Sequence, residues 1–217
     1  MTNLKIHPFL ILLLISLPIF AAAGQLSKIS LVSGRHQIVA TIYRQGQGFS
    51  ENEALSFRSS PDGKLLRTMK SNGFERPVLF RYHGENFVHV STTPAGSGAF
   101  VTDTIFWIAP DATMHEIEFE SAAEAYEDKV DAEETVLTGG SGVNCTGGKL
   151  KFEFYIANNA DPHCCPAAGK VTGNYKIVGN RKFDPITRQY SSTFKMVAKQ
   201  YSRTPISTGE MSASFAR

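Results

Sequence analysis

The chain is poor in cysteine, with three in 217 residues, at positions 145, 164 and 165. At most one intramolecular disulfide is therefore available, which excludes a multiply stapled mini-scaffold. Net charge is nearly absent as well: Lys and Arg number 22 against 20 Asp and Glu. A dedicated nucleic-acid binder shows a clear basic excess, so no nucleic acid is expected as a partner. After Phe20 no apolar run approaches the ~20 residues that span a bilayer, so no integral membrane segment is expected in the mature chain. Long helix-forming runs are scarce. Catalytic and cofactor signatures are missing too. Gly96-Ser97-Gly98 and Gly140-Ser141-Gly142 lack the spacing of a nucleophile elbow. His115-Glu116-Ile117-Glu118 has no second histidine four residues on. No glycine-rich loop follows a strand and opens a helix. No cofactor is expected.

What is present begins with a leader. Lys5 is followed by an apolar stretch from Phe9 to Phe20, then by Ala21-Ala22-Ala23. That three-part order is the pattern of a secretory signal peptide, with cleavage expected before Gly24. Residues 1–23 are read as the signal and 24–217 as one exported domain, periplasmic or extracellular. Cleavage removes Lys5 and brings the formal charge from +2 to +1. The signs are segregated along the chain: Glu116 to Glu134 holds nine acids and only Lys129 as a base, while the chain from Lys149 is basic. Such segregation usually marks solvated faces.

Aromatic and β-branched residues, plentiful glycine and repeated two-residue alternation favour strands. Lys28–Val32 and Gln37–Tyr43 flank a turn, as do Pro77–Tyr82 and Asn86–Val90. Ile105-Phe106-Trp107-Ile108 is a continuous apolar run, short enough for a buried strand. From Met114 to Glu120, His115, Ile117 and Phe119 face one way and three glutamates the other. Leu150, Phe152 and Phe154 define the strongest strand, and Lys170–Val178 and Tyr190–Tyr201 read as the last two. Ala122–Glu134 is the one stretch suited to a short helix or an ordered loop. Residues 45–76 read as a looser, loop-rich insertion, and 209–217 as a frayed tail. The expected fold is mostly β: an antiparallel meander closed as a sandwich or curled barrel, with at most one or two short helices.

The cysteines bracket the strong strand. A bridge from Cys145 to Cys164 or Cys165 would close a loop of about 20 residues, a constraint of roughly 3 kcal/mol on the unfolded chain. Neighbouring residues of an extended segment point to opposite sides, so only one of the pair can face Cys145. A vicinal Cys164–Cys165 bridge is the strained alternative. A third reading gives His163, Cys164, Cys165 and Cys145 to a soft metal, although adjacent thiolates reach two vertices of one tetrahedron with difficulty. His83 and His89 flank a turn and read as solvent or core histidines. Asn144-Cys145-Thr146 matches a glycosylation sequon, which has meaning only in a eukaryotic secretory pathway.

The run Phe152–Ile156, then Asp161-Pro162-His163-Cys164-Cys165-Pro166, then Gly169–Ile177 resembles a group of secreted bacterial β-domain proteins carrying a Cys-Cys-Pro motif. Pro77–Tyr82 and Gly96–Phe100 resemble upstream segments of the same group. Many of its members carry an acidic calcium-type loop before the first of these strands, where this chain reads Glu75-Arg76-Pro77. No calcium site is carried over. The group has no established activity, so the resemblance implies an exported β-domain and no reaction.

The expected role is a non-catalytic binding or envelope-interaction domain, its partner a protein or envelope component. The alternatives are an envelope enzyme or enzyme inhibitor with a loop-built site, or a thiol- or metal-handling protein using residues 163–165. N-terminal sequencing of the exported form is expected to start at or next to Gly24; recovery in the cytosol with Met1 retained would remove the basis for an oxidising compartment.

Overall fold

A computed structural model describes residues 24–33, 36–45, 52–92, 102–137, 143–146, 149–160 and 168–206. The leader, the tail from 209 and the Cys-Cys-Pro run lie outside them. Among the described residues, sixteen strands and one short 3-10 helix follow one another. The first four, β1 (Gly24–Ser33), β2 (His36–Gln45), β3 (Asn52–Ser60) and β4 (Leu65–Ser71), form an antiparallel meander in that order. The second meander comprises β5 (Val78–Tyr82), β6 (Glu85–Thr92), β7 (Thr102–Ile108) and β8 (Met114–Glu116).

The third sheet departs from a meander. Its strands are β9 (Glu118–Phe119), β10 (Glu134–Leu137), β11 (Asn144–Thr146), β12 (Lys149–Asn158), β13 (Gly169–Val178) and β16 (Lys195–Thr204). Their order is β10-β12-β13-β16-β9, with β11 also on β12. All pairs are antiparallel except β16 with β9, which is parallel over Lys195–Glu118 and Met196–Phe119. A separate two-stranded hairpin, β14 (Arg181–Asp184) with β15 (Gln189–Ser192), projects between β13 and β16.

The second sheet is the middle layer. Side chains of a strand alternate between its faces, and both faces of β6 and β7 are buried. Val88, Val90, Phe106 and Ile108 pack with Ile38, Ile42, Leu55 and Phe57 of the first sheet. Phe87, Ile105 and Trp107 pack with Phe152, Phe154, Val171, Tyr175 and Met196 of the third. This is why residues 105–108 read as an unbroken apolar run: each face meets its own core.

The second and third sheets are joined by one corner strand. Ile117 separates β8 from β9; its N–H bonds to Ile105 O at 3.0 Å, and Glu120 N–H bonds to Met196 O at 3.0 Å. The chain thus leaves β7 and takes up β16 within a few residues, curling two sheets into a half-barrel around the larger core. Ile117 is buried, while Glu116, Glu118 and Glu120 are exposed, the alternation expected of this stretch. Glu116 meets Arg67 of β4 at 2.8 Å and Glu118 meets Lys195 at 2.6 Å. A second bend comes from the bulge in β13 between Thr172 and Asn174. Gly173 occupies it because a Cβ there would lie 2.2 Å from Phe152 Cζ.

Two expectations need correction. Residues 52–71 are not a loose insertion but two ordered strands. Pro61-Asp62-Gly63 is the tight connection between them, and β4 lacks alternation because it is an exposed sheet edge on which only Leu66, Met69 and Ser71 are half-buried. Likewise Tyr190–Tyr201 is not one strand: it breaks at Thr193-Phe194 between β15 and β16. The expected helix is a single 3-10 turn pair, Glu124–Lys129, with Tyr126 buried. Because Phe106 is fully buried between two sheets, Phe106→Ala is expected to lower unfolding free energy by about 3–5 kcal/mol. Chemical denaturation measures this; a loss under 1 kcal/mol would contradict a buried middle layer.

Candidate functional site

Three groups of chemically capable side chains stand out among the described residues, and the alternation of β6 sets two of them. Phe87, His89 and Ser91 are spaced by two and share the face toward the third sheet. Across the ladder Phe87 opposes Trp107, His89 opposes Ile105 and Ser91 opposes Asp103. His89 and Asp103 are therefore diagonal neighbours, 2.6 Å apart from Nε2 to Oδ1, with side-chain exposures of 8% and 4%.

Ser91 Oγ donates to the same Asp103 oxygen at 2.7 Å and lies 3.2 Å from His89 Nε2. Val143 N–H donates to Asp103 Oδ2 at 3.3 Å. A serine is activated by imidazole when hydroxyl and carboxylate occupy different ring nitrogens. Here both meet Nε2, and the hydroxyl gives its hydrogen to the carboxylate. The trio is a closed polar plug that satisfies a buried charge, worth most to the fold as a complete set. His83 sits apart in the β5–β6 turn at φ 47, exposed, so the two histidines flanking that turn do not converge.

Cys145 lies on β11 beside this plug, half-buried and packed against the core. Burial, with the charge of Asp103 adding, pushes its thiol up to about 12. The same causes raise the Tyr175 hydroxyl, which accepts the Ala122 N–H at 3.0 Å. The expected bridge is not formed in this structure: Cys145 is a free thiol, and Cys164 and Cys165 lie outside the described residues. Cys145 opposes Leu150 at the start of β12. No cluster of three or more His, Cys, Asp or Glu suited to a metal occurs among the described residues.

The third group lines a cleft of about 310 Å3 at the opposite end of β6, where the hairpin leaves the barrel. Its floor is Phe87, Ile177 and Phe194. Phe194 stacks edge-on against Phe87 at 5.5 Å and Trp107 at 5.4 Å. Its rim carries Tyr82, His83, Glu85 and Arg181. Glu85 takes one hydrogen bond from Trp107 Nε1 at 3.0 Å and pairs with Arg181 at 3.1 Å. Arg181 remains half-exposed and keeps donors toward solvent. Gly179 forms the turn into the hairpin at φ +100, where a Cβ would lie 2.2 Å from Thr193 O. Sequence reasoning missed this cleft. Its two walls lie some ninety residues apart, and only pairing of the sheets brings them together.

Comparison with family models, with curated proteins and with solved structures finds no match.

A thiol held neutral by burial is a poor nucleophile. Peptide-resolved alkylation with iodoacetamide at pH 8 is expected to leave Cys145 unmodified in the native protein and to label it on unfolding. A raised folded-state value also means that stability from this group is complete below the unfolded value near 8.5 and falls as pH rises from there toward 12. Rapid native labelling of Cys145 would contradict both statements.

Proposed function

We propose that this chain is an exported, non-catalytic binding domain whose ligand site is the cleft between the β5–β6 turn and the β13–β14 link. One observation carries the reading: a cleft of about 310 Å3 combines an aromatic floor with a single accessible guanidinium at its rim. Small-molecule sites have this make-up, mostly apolar walls with a few placed polar groups, and this volume lies at the lower end of their range. Strand residues supply most of the floor, and Glu85 is already engaged by Trp107 and Arg181. The permanently charged group with free donors at the rim is thus the Arg181 guanidinium, beside the polar groups of Tyr82, His83 and Asn180. The expected ligand class is a compact aromatic or aliphatic anion. The leader pattern, an apolar stretch from Phe9 to Phe20 followed by Ala21-Ala22-Ala23, supports the exported part of this reading.

The chain's only tryptophan reports on the cleft, because Trp107 bonds to the rim carboxylate and packs on the floor. Anilinonaphthalene sulfonate, an aromatic anion, is expected to bind saturably at one site and quench Trp107 by energy transfer. Arg181→Ala is expected to weaken it about tenfold, in line with loss of one charge-assisted contact. Absence of saturable binding, or equal affinity in Arg181→Ala, would overturn the assignment.

A further inference from the structure

The projecting hairpin has a composition unlike the rest of the surface. Five large apolar side chains are exposed among the described residues, and three of them, Val178, Phe183 and Ile186, fall in nine consecutive positions. Ile186 is 91% exposed at the tip, Phe183 52% and Val178 45%. Cations accompany them. Lys176 shares the outer face of β13 with Val178, Lys182 lies on β14, and Arg188 closes the tip. None of these three makes an ion pair among the described residues.

The only nearby acid in the hairpin, Asp184, is engaged internally. Its carboxylate accepts Ile186 N–H at 2.8 Å, Thr187 N–H at 3.4 Å and Thr187 Oγ1–H at 2.8 Å. These bonds hold the carboxyl below its ordinary range and fasten the backbone of the turn to Asp184. Phe183 and Tyr190 pair across the strands at 4.8 Å, and Tyr190 continues to Trp107 in the core at 6.4 Å. Thr193 N–H on Asn180 O at 2.9 Å closes the base. An apolar tip is thus tied to the half-barrel, with Lys182 and Arg188 beside it making no ion pair among the described residues and Asp184 turned to the tip's own backbone.

We propose that the β14–β15 hairpin docks the domain on an anionic lipid bilayer, inserting Ile186 at the headgroup boundary while Lys182 and Arg188 meet lipid phosphates. Interfacial binding scales with apolar area inserted plus attraction between basic residues and anionic lipid. The hairpin supplies both terms and needs no ordering on contact, which lowers the cost of docking. A neutral surface lacks the second term. An acidic protein would satisfy the cations but gives no reason for a lone exposed isoleucine at the apex. This inference is independent of the cleft reading.

The test is co-sedimentation of the form beginning at Gly24 with sucrose-loaded vesicles, either pure phosphatidylcholine or phosphatidylcholine with about one-third phosphatidylglycerol. Binding is expected to the mixed vesicles and to be at least tenfold weaker to the neutral ones. Ile186→Asp is expected to lower partitioning about tenfold or more, and the double variant Lys182→Glu with Arg188→Glu to abolish it. Leu65→Asp, at a half-exposed leucine on β4 away from the hairpin, is the control and is expected to change nothing. Every substituted position is on the surface, so unchanged thermal melting checks the fold. Binding of anilinonaphthalene sulfonate should survive Ile186→Asp, which separates this proposal from the cleft. Absence of binding to mixed vesicles, equal binding to neutral ones, or equal loss in Leu65→Asp and Ile186→Asp would each overturn it. So would an increase in mass at sedimentation equilibrium that Ile186→Asp removes, since the tip would then join two copies of the chain.

Discussion

Everything else in this fold depends on burying both faces of one four-stranded sheet. Phe106 and Trp107 are adjacent on β7, yet they belong to different cores, one shared with the first sheet and one with the curled third. A large side chain withdrawn from water contributes about 1.5–3 kcal/mol, and here each face of the sheet is withdrawn only when its own outer layer is present. The first sheet therefore cannot be treated as an accessory. It covers Val88, Val90, Phe106 and Ile108, which would otherwise form an exposed apolar face. Arg67 reinforces that cover, lying over the Phe106 ring at 5.4 Å while its guanidinium meets Glu116.

The same constraint creates the two polar features inside the barrel. On the face of β6 and β7 turned to the third sheet, apolar positions run out toward one end, and His89, Ser91 and Asp103 follow Phe87, Ile105 and Trp107. Such groups survive burial only by satisfying one another. At the other end Glu85 solves a similar problem for the indole of Trp107, and in doing so it fixes Arg181 at the mouth of the cleft. A structural requirement of the core thus places the cation that the surface presents.

Much of the strand content was legible because strands with one wet face alternate. Met114–Glu120, Lys149–Asn158 and the β1–β2 and β5–β6 hairpins follow directly from that pattern. The misreadings have physical causes. Around β4 the chain is an edge with little to bury, so Leu65 and its neighbours carry no periodic signal, and the turn at Pro61-Asp62-Gly63 resembled a loop. The break at Thr193-Phe194 was hidden because the large side chains Tyr190, Phe194 and Met196 lie an even number of residues apart, as on one face of a strand. The β14–β15 hairpin announces itself only through Asp184-Pro185 and Thr187, whose turn chemistry is local and weak. The cleft left no trace in the sequence, since its walls meet only after the sheets curl together.

The corner strand has a consequence for the order of assembly. The first two sheets are built from neighbours in sequence, so their pairings close over short loops. The parallel contact of Met196 with Phe119 is different: it joins residues 77 apart and supplies the strand that stands between β13 and the corner. Contacts of that separation form late, because the intervening chain must first lose its freedom. Until β16 arrives, Ile117, Tyr175 and the inner face of Trp107 stay wet. A chain emerging from its N-terminus therefore carries an unfinished half-barrel until β16 is available, and in that interval it is most exposed to association with other chains.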